Sequence, residues 1–203
     1  MSEALYNAIL VGDKNKAEEA TKAALAAGVD PAELVTKFVT PAMEEVGKKF
    51  ECNEYFVPEL LIAQRAMKAA VALIGNSGES AGRVVIGTVH GDLHDIGKNL
   101  VAAMLQGCGF EVVDLGVDVS PEQFVEAAKQ QDGTIVALSA LLTTTMTVMK
   151  KVIEALVEAG VRDKAKVMIG GAPITQQYAD EIGADGYSDN ASAAVNIARG
   201  LVG

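Results

Sequence analysis

Cysteine and histidine are scarce in this chain, with two of each in 203 residues. Cys52 and Cys108 lie in different segments and form neither a CxxC pair nor a disulfide framework, so a reducing, cytoplasmic setting is expected. Long apolar runs are missing as well: no stretch reaches the roughly 18 residues of a membrane span. The opening Met1-Ser2-Glu3-Ala4-Leu5 lacks the basic start and apolar run of a signal peptide. Positive charge is also short, with 17 Lys and Arg against 27 Asp and Glu, a net charge of −10. The acids are spread along the chain. That balance argues against binding nucleic acid through its phosphates and suits a partner protein with a basic docking face. What remains is 50% hydrophobic, enough for one large domain or two small ones.

Two rhythms divide the chain. Residues 1–75 read as helix throughout. Asp30-Pro31-Ala32-Glu33 is a helix start, with Asp as N-cap, Pro in the first turn and Glu three residues on. After it Leu34, Phe38, Ala42, Val46 and Phe50 recur every fourth residue as one apolar stripe. Another helix begins near Pro58, and two more are expected over 4–12 and 14–27. A four-helix bundle is the economical reading. Residues 76–82, small, polar and glycine-rich, read as an interdomain linker.

From Arg83 the pattern alternates strand with helix. Short β-branched runs cover 83–89, 111–115, 134–139 and 166–170, with a weaker fifth at 185–188. Ser120-Pro121-Glu122-Gln123 opens one of the intervening helices. Apolar strands alternating with helices predict a parallel sheet covered on both faces, in an α/β flavodoxin-like (Rossmann-type) domain over 83–203. Five such units predict strand 1 lying between strands 2 and 3.

The polar residues with no evident structural purpose fall at the carboxyl ends of these strands. Strand 1 runs into Gly91-Asp92-Leu93-His94-Asp95-Ile96-Gly97, strand 3 into Ser139-Ala140-Leu141-Leu142-Thr143-Thr144-Thr145, and strand 4 into Gly170-Gly171. Open α/β sheets bind ligands beyond these ends, where the strand order reverses. A single loop histidine is usually an ordinary polar residue. His94, however, has Asp92 two residues before it, and metal-ligating histidines commonly give their other ring N–H to a carboxylate. No second or third ligand stands at a suitable spacing, which disfavours a protein-only zinc or iron site. One histidine with a carboxylate relay suits a metal already held by a macrocycle. The bland alternatives stay open for the glycines, since Gly97, Gly170 and Gly171 also suit tight turns. Phe56 suits a core position as well as a site position, and Met146 and Met149 better suit the core.

Asp92-Leu93-His94-Asp95-Ile96-Gly97 resembles the DxHxxG signature of base-off, histidine-on cobalamin-binding domains. The 41 residues between Gly97 and Ser139-Ala140-Leu141, and the 28 between Leu141 and Gly170-Gly171, match the family's SxL and GG elements. Phe56-Val57-Pro58-Glu59-Leu60 with Ala66-Met67 is similar to a segment of the family's helical cap. The arrangement resembles the cobalamin module of methionine synthase, and more closely the free-standing corrinoid proteins of anaerobic methyltransferase systems.

The resemblance implies cobalamin or a related corrinoid, with His94 as lower axial ligand in place of the cofactor's own base. It implies that Asp92 hydrogen-bonds the far imidazole nitrogen and that Thr145, where the family has a serine, extends the relay. The nucleotide tail would lie beside Ser139, Thr143, Gly170, Gly171 and Ala191, and Phe56 would face the corrin's upper side. Gly91, Leu93, Asp95, Ile96, Gly97 and Leu141 complete the implied binding set. The implied activity is that of a non-autonomous methyl carrier alternating between cobalt(I) and methylcobalt(III). Its implied partners are a substrate-specific methyltransferase, a second methyltransferase acting on tetrahydrofolate or coenzyme M, and a reductive activator. Two other corrinoid roles compete with this one. A cobalamin-dependent sensor needs an output module, and no helix-turn-helix, basic stripe or kinase segment remains; a mutase subunit needs a substrate barrel that about 200 residues cannot hold. A flavodoxin-like signalling domain is the cofactor-free alternative. His90 has no assigned role, and the sequence names no methyl donor.

Overall fold

The structure, a computed structural model, describes residues 2–75 and 80–202. Residues 76–79, the centre of the expected linker, therefore lie outside the described residues. The chain separates into two compact units, Met1–Ser80 with Ala103–Gly109, and Ala81–Ala102 with Phe110–Gly203. Among the described residues no helix is long and apolar enough to cross a membrane.

The first unit is helical: α1 (Ser2–Leu10), α2 (Lys14–Ala26), α3 (Pro31–Leu34), a π-helical turn Val35–Val39, α4 (Thr40–Glu51) and α5 (Val57–Ile74). Asp13 caps α2 by accepting from Lys16 N at 3.1 Å, and Asp30 caps α3 by accepting from Ala32 N at 3.0 Å. Glu59 reaches back to the Phe56 amide at 2.9 Å and fixes the entry to α5.

The expected four-residue stripe is interrupted between α3 and α4. Pro41 has no N–H, and its ring would crowd the Lys37 carbonyl in a regular helix. The chain widens by one residue instead: Thr40 N bonds back to Val35 O, five residues earlier. The buried positions consequently move from Phe38 to Val39, and continue at Ala42, Met43 and Val46, while Phe38 and Phe50 stay half-buried.

The second unit carries the parallel sheet, in the order β2-β1-β3-β4-β5. Its strands are β1 (Arg83–Thr88), β2 (Glu111–Asp114), β3 (Ile135–Ser139), β4 (Lys166–Gly170) and β5 (Gly186–Ser188). Each strand is trimmed by a residue or so from its expected span, apart from β4. In chain order the helices are α6 (Ile96–Gly107), whose residues from Ala103 belong to the first unit, then α7 (Pro121–Ala128), α8 (Thr143–Glu158), α9 (Gln176–Ile182) and α10 (Ala191–Val202). Ser120 and Gln123 cap α7 reciprocally, Gln123 Oε1 accepting from Ser120 N at 2.9 Å. Phe124 of α7, fully buried, lies over Gly87 of β1, where a Cβ would stand 2.8 Å from the ring. Val85, Val136, Leu138, Ile169, Met149 and Leu156 fill the same core, and Met146 packs at its edge. Both methionines therefore serve packing.

The register places Thr88, Ser139, Gly170 and Ser188 side by side across four strands, at or near their carboxyl ends. Strands 1, 3 and 4 are neighbours, so their exits line one edge of the sheet. That edge holds the candidate site.

Candidate functional site

Beyond Thr88 the chain turns at Gly91, whose φ of 83° is a left-handed conformation that glycine takes without strain. The turn sends the Asp92 side chain inward, where it is completely buried. A buried carboxylate needs hydrogen bonds in place of water, and Asp92 has four. Its Oδ1 accepts from the His94 amide at 3.1 Å and lies 2.7 Å from His94 Nδ1. Its Oδ2 accepts from the Leu141 amide at 2.8 Å and the Thr145 hydroxyl at 2.6 Å. Burial pushes the carboxyl pKa up, but the Thr145 hydroxyl, the Leu141 amide, and the ring and amide of His94 outweigh it. The net result holds Asp92 well below the usual aspartate range.

That ionisation decides the histidine tautomer. A carboxylate can only accept, so the shared proton sits on His94 Nδ1. In the neutral form of the ring this leaves the lone pair on Nε2, and the side chain is 51% exposed. From behind, the buried hydroxyl of Thr88 donates to the His94 carbonyl at 3.0 Å. Nothing in the sequence marks Thr88 apart from its place as the last residue of β1.

Flanking the histidine, Leu93 and Ile96 are 70% and 75% exposed, and Leu141 and Leu142 are also open. Large apolar side chains left open beside a preset nitrogen ligand suit an apolar macrocycle. Among the described residues no group of three or more His, Cys, Asp or Glu could hold a metal ion. The donor set fits a metal that arrives with its own equatorial ligands and takes one nitrogen from the protein.

The remaining candidates divide. Asp92, His94, Leu141 and Thr145 are joined directly, across sequence separations of up to 53 residues. The Thr145 methyl has room, standing 3.7 Å from where a Cβ on Gly91 would be. Ser139 and Gly170 are in register at the sheet edge, Thr143 opens α8, and Ala191 opens α10. Gly171 has φ 134°, and a Cβ there would fall 1.8 Å from the Ala140 carbonyl oxygen, so packing alone demands glycine. Gly97 is the opposite case: it is exposed, and a Cβ there would meet nothing within 4 Å. Asp95 accepts from Asn99 Nδ2 at 3.0 Å. Phe56 belongs to the helical unit and is 60% exposed, so it is not a core residue there.

His90 pairs with Asp118, Nδ1 to Oδ1, at 2.7 Å. Asp118 also accepts from the Gly91 amide at 2.7 Å, and its own N–H donates to the Asp92 carbonyl at 3.1 Å. It adopts φ 55°, uncommon for a residue other than glycine. The loop after β2 thus braces the loop after β1.

Fold and site together define an α/β protein with a histidine–aspartate pair at the carboxyl edge of its parallel sheet. Two family models, each described as a B12 binding domain, match residues 82–196 and 1–74, and the chain belongs to this B12-binding family. It is 49% identical to trimethylamine corrinoid protein 2 of Methanosarcina mazei, over 93% of this chain and 90% of that one. It is 48% identical to the dimethylamine corrinoid protein of Methanosarcina barkeri, over 86% and 84% of the two chains. Among solved structures it resembles the methanol:cobalamin methyltransferase complex of Methanosarcina barkeri. That match has a TM-score of 0.88 and 30% identity, covering 99% of this chain and 79% of the other.

Proposed function

We propose that this chain is a methyl carrier that binds a corrinoid base-off, with His94 Nε2 as the lower axial ligand to cobalt. It would pass methyl groups from a substrate-specific methyltransferase to a second methyltransferase acting on tetrahydrofolate or coenzyme M, with a reductive activator as a third partner. The observation that carries this reading is the Asp92–His94 pair: Asp92 Oδ1 stands 2.7 Å from Nδ1, which leaves Nε2 to donate to a metal. When bound, the corrinoid supplies a cobalt centre that cycles between cobalt(I) and cobalt(III) as methyl groups are loaded and unloaded.

The chain's own part is to hold, tune and shield. Asp92 keeps the Nδ1 proton in place and raises the basicity of Nε2, while the Thr145 hydroxyl and Leu141 amide keep Asp92 ionised. Leu93, Ile96, Leu141 and Leu142 would exclude water from the corrin's lower face. Ser139, Thr143 and Ala191 are read as bordering the nucleotide tail, supported by their shared place at the sheet edge. Gly97, with nothing near its missing Cβ, leaves room beside the ligand. A role of the helical unit in cofactor binding is supported by the family model that matches residues 1–74. Relatives named for trimethylamine and dimethylamine favour methylated amines as the methyl source.

The test is reconstitution with cobalamin, followed by the visible spectrum of wild type and His94→Ala. Wild type should show histidine ligation and the variant should lose it; an unchanged variant spectrum defeats the assignment. Single-turnover methyl transfer with separate trimethylamine and dimethylamine methyltransferases then reads the donor.

A further inference from the structure

We infer that Lys98, a residue with no assigned part in cofactor binding, is the positioning residue that fixes the main chain of His94. Its side chain is 2% exposed, which is exceptional for lysine. A buried ammonium is costly unless every proton finds an acceptor, and Lys98 satisfies this fully. Its Nζ lies 2.7 and 2.6 Å from the two carboxylate oxygens of Asp114 and 2.6 Å from Asn99 Oδ1.

Two arms run from this ammonium towards the ligand. In the first, Asp114 accepts from the Gly116 amide at 2.9 Å, and the Gly116 carbonyl accepts from the Thr88 amide at 3.0 Å. The Thr88 hydroxyl then donates to the His94 carbonyl at 3.0 Å. In the second, Asn99, oriented by Lys98, donates through Nδ2 to Asp95, the residue after His94. Asp92 fixes the imidazole ring and the His94 amide, whereas the Lys98 network fixes the His94 carbonyl and the residue that follows it. An ion pair whose carboxylate is 38% exposed adds little net stability by itself, and this one anchors two arms that end at His94.

The inference rests on His94 being the cobalt ligand, and the experiment separates the two claims. Wild type, His94→Ala, Lys98→Met and Asp114→Asn are produced with 15N-labelled histidine, loaded with cobalamin and reduced to cobalt(II). Electron paramagnetic resonance then reads whether a labelled histidine nitrogen splits the cobalt lines. A wild type without that splitting ends the ligand reading, and this inference with it. With wild type histidine-bound, Lys98→Met should shift the bound-to-unbound histidine ratio by about tenfold or more, the range for removing partners of metal-ligating histidines. Asp114→Asn should shift it in the same direction by less, because the amide oxygen still accepts. A lysine that only stabilises the fold would lower the unfolding temperature and leave the ratio of the folded protein unchanged, and that result overturns the inference. Where Lys98→Met does not fold, Asp114→Asn decides alone: its side chain is 38% exposed, and a wild-type ratio there is equally fatal.

Discussion

The Oδ2 atom of Asp92 lies 2.6 Å from the Thr145 hydroxyl, joining residues 53 positions apart in the chain. That hydrogen bond ties the loop after β1 to the start of α8, and it bears on the ligand through a single carboxylate. Replacing Thr145 by Ala leaves Oδ2 with the Leu141 amide alone. Bonds to charged groups contribute about 1.5–3 kcal/mol, so Thr145→Ala should lower stability by about that amount in urea unfolding. Cobalamin affinity should fall about tenfold, while Thr145→Ser, which keeps the hydroxyl, should retain most of both.

Asp92 also sets a pH dependence for the cofactor-free protein. Its folded pKa is held below the ordinary value of 3.8, so the unfolded chain takes up a proton before the folded chain does. The stabilisation is present in full above that ordinary value and is lost progressively as pH falls through it towards the lower folded value. Urea midpoints measured from pH 7 down to pH 3 should decline for wild type. Asp92→Asn should be less stable at pH 7 and should show a shallower decline.

The two glycines of the site should respond oppositely. Gly171→Ala forces a Cβ to 1.8 Å from the Ala140 carbonyl oxygen, at a φ of 134°. Thermal unfolding should show a loss of about 3 kcal/mol or more, or no folded protein at all. Gly97→Ala meets no neighbour and adds a better helix former, so stability should hold or rise by up to about 1 kcal/mol. Gly97→Leu should also fold, yet bind cobalamin weakly in an absorbance titration, because the open space beside His94 is then filled.

His90 and Asp118 form an exposed pair, and exposed pairs contribute about 0–1 kcal/mol. His90→Ala should therefore change stability and cofactor affinity little. Asp118 has a larger part through the Gly91 amide and its own left-handed backbone. Asp118→Asn keeps both features and should behave as wild type. Asp118→Val, β-branched at φ 55°, should be the most destabilised of the series by thermal unfolding.

Much of the α/β unit was legible in the chain, because its signals are local. Short apolar runs between helices declare strands, and five such units alternating with helices suggest the flavodoxin-like order with β1 between β2 and β3. The helical unit was less legible. The four-residue stripe from Leu34 placed Phe38 in the core, but Pro41 imposed a π turn that put Val39 there instead. A periodicity argument assumes a regular helix and does not register one inserted residue. Gly171 by itself reads more readily as a turn than as a ligand cradle, and the Ala140 carbonyl against it supplies the packing reason for glycine.

At the site itself, sequence determined the short-range half. Asp92 and His94 are two residues apart, so any tight loop there lets the carboxylate reach the near ring nitrogen and the His94 amide. The motif spacing likewise carried the resemblance to cobalamin-binding domains. Tertiary structure decided the long-range half: which groups hold Oδ2, that Thr88 holds the His94 carbonyl, and that Lys98 is buried against Asp114. The reason is physical. A hydrogen bond depends on ångström distances and on burial, and for residues 49 or 53 apart these exist only once the sheet sets β3 beside β1.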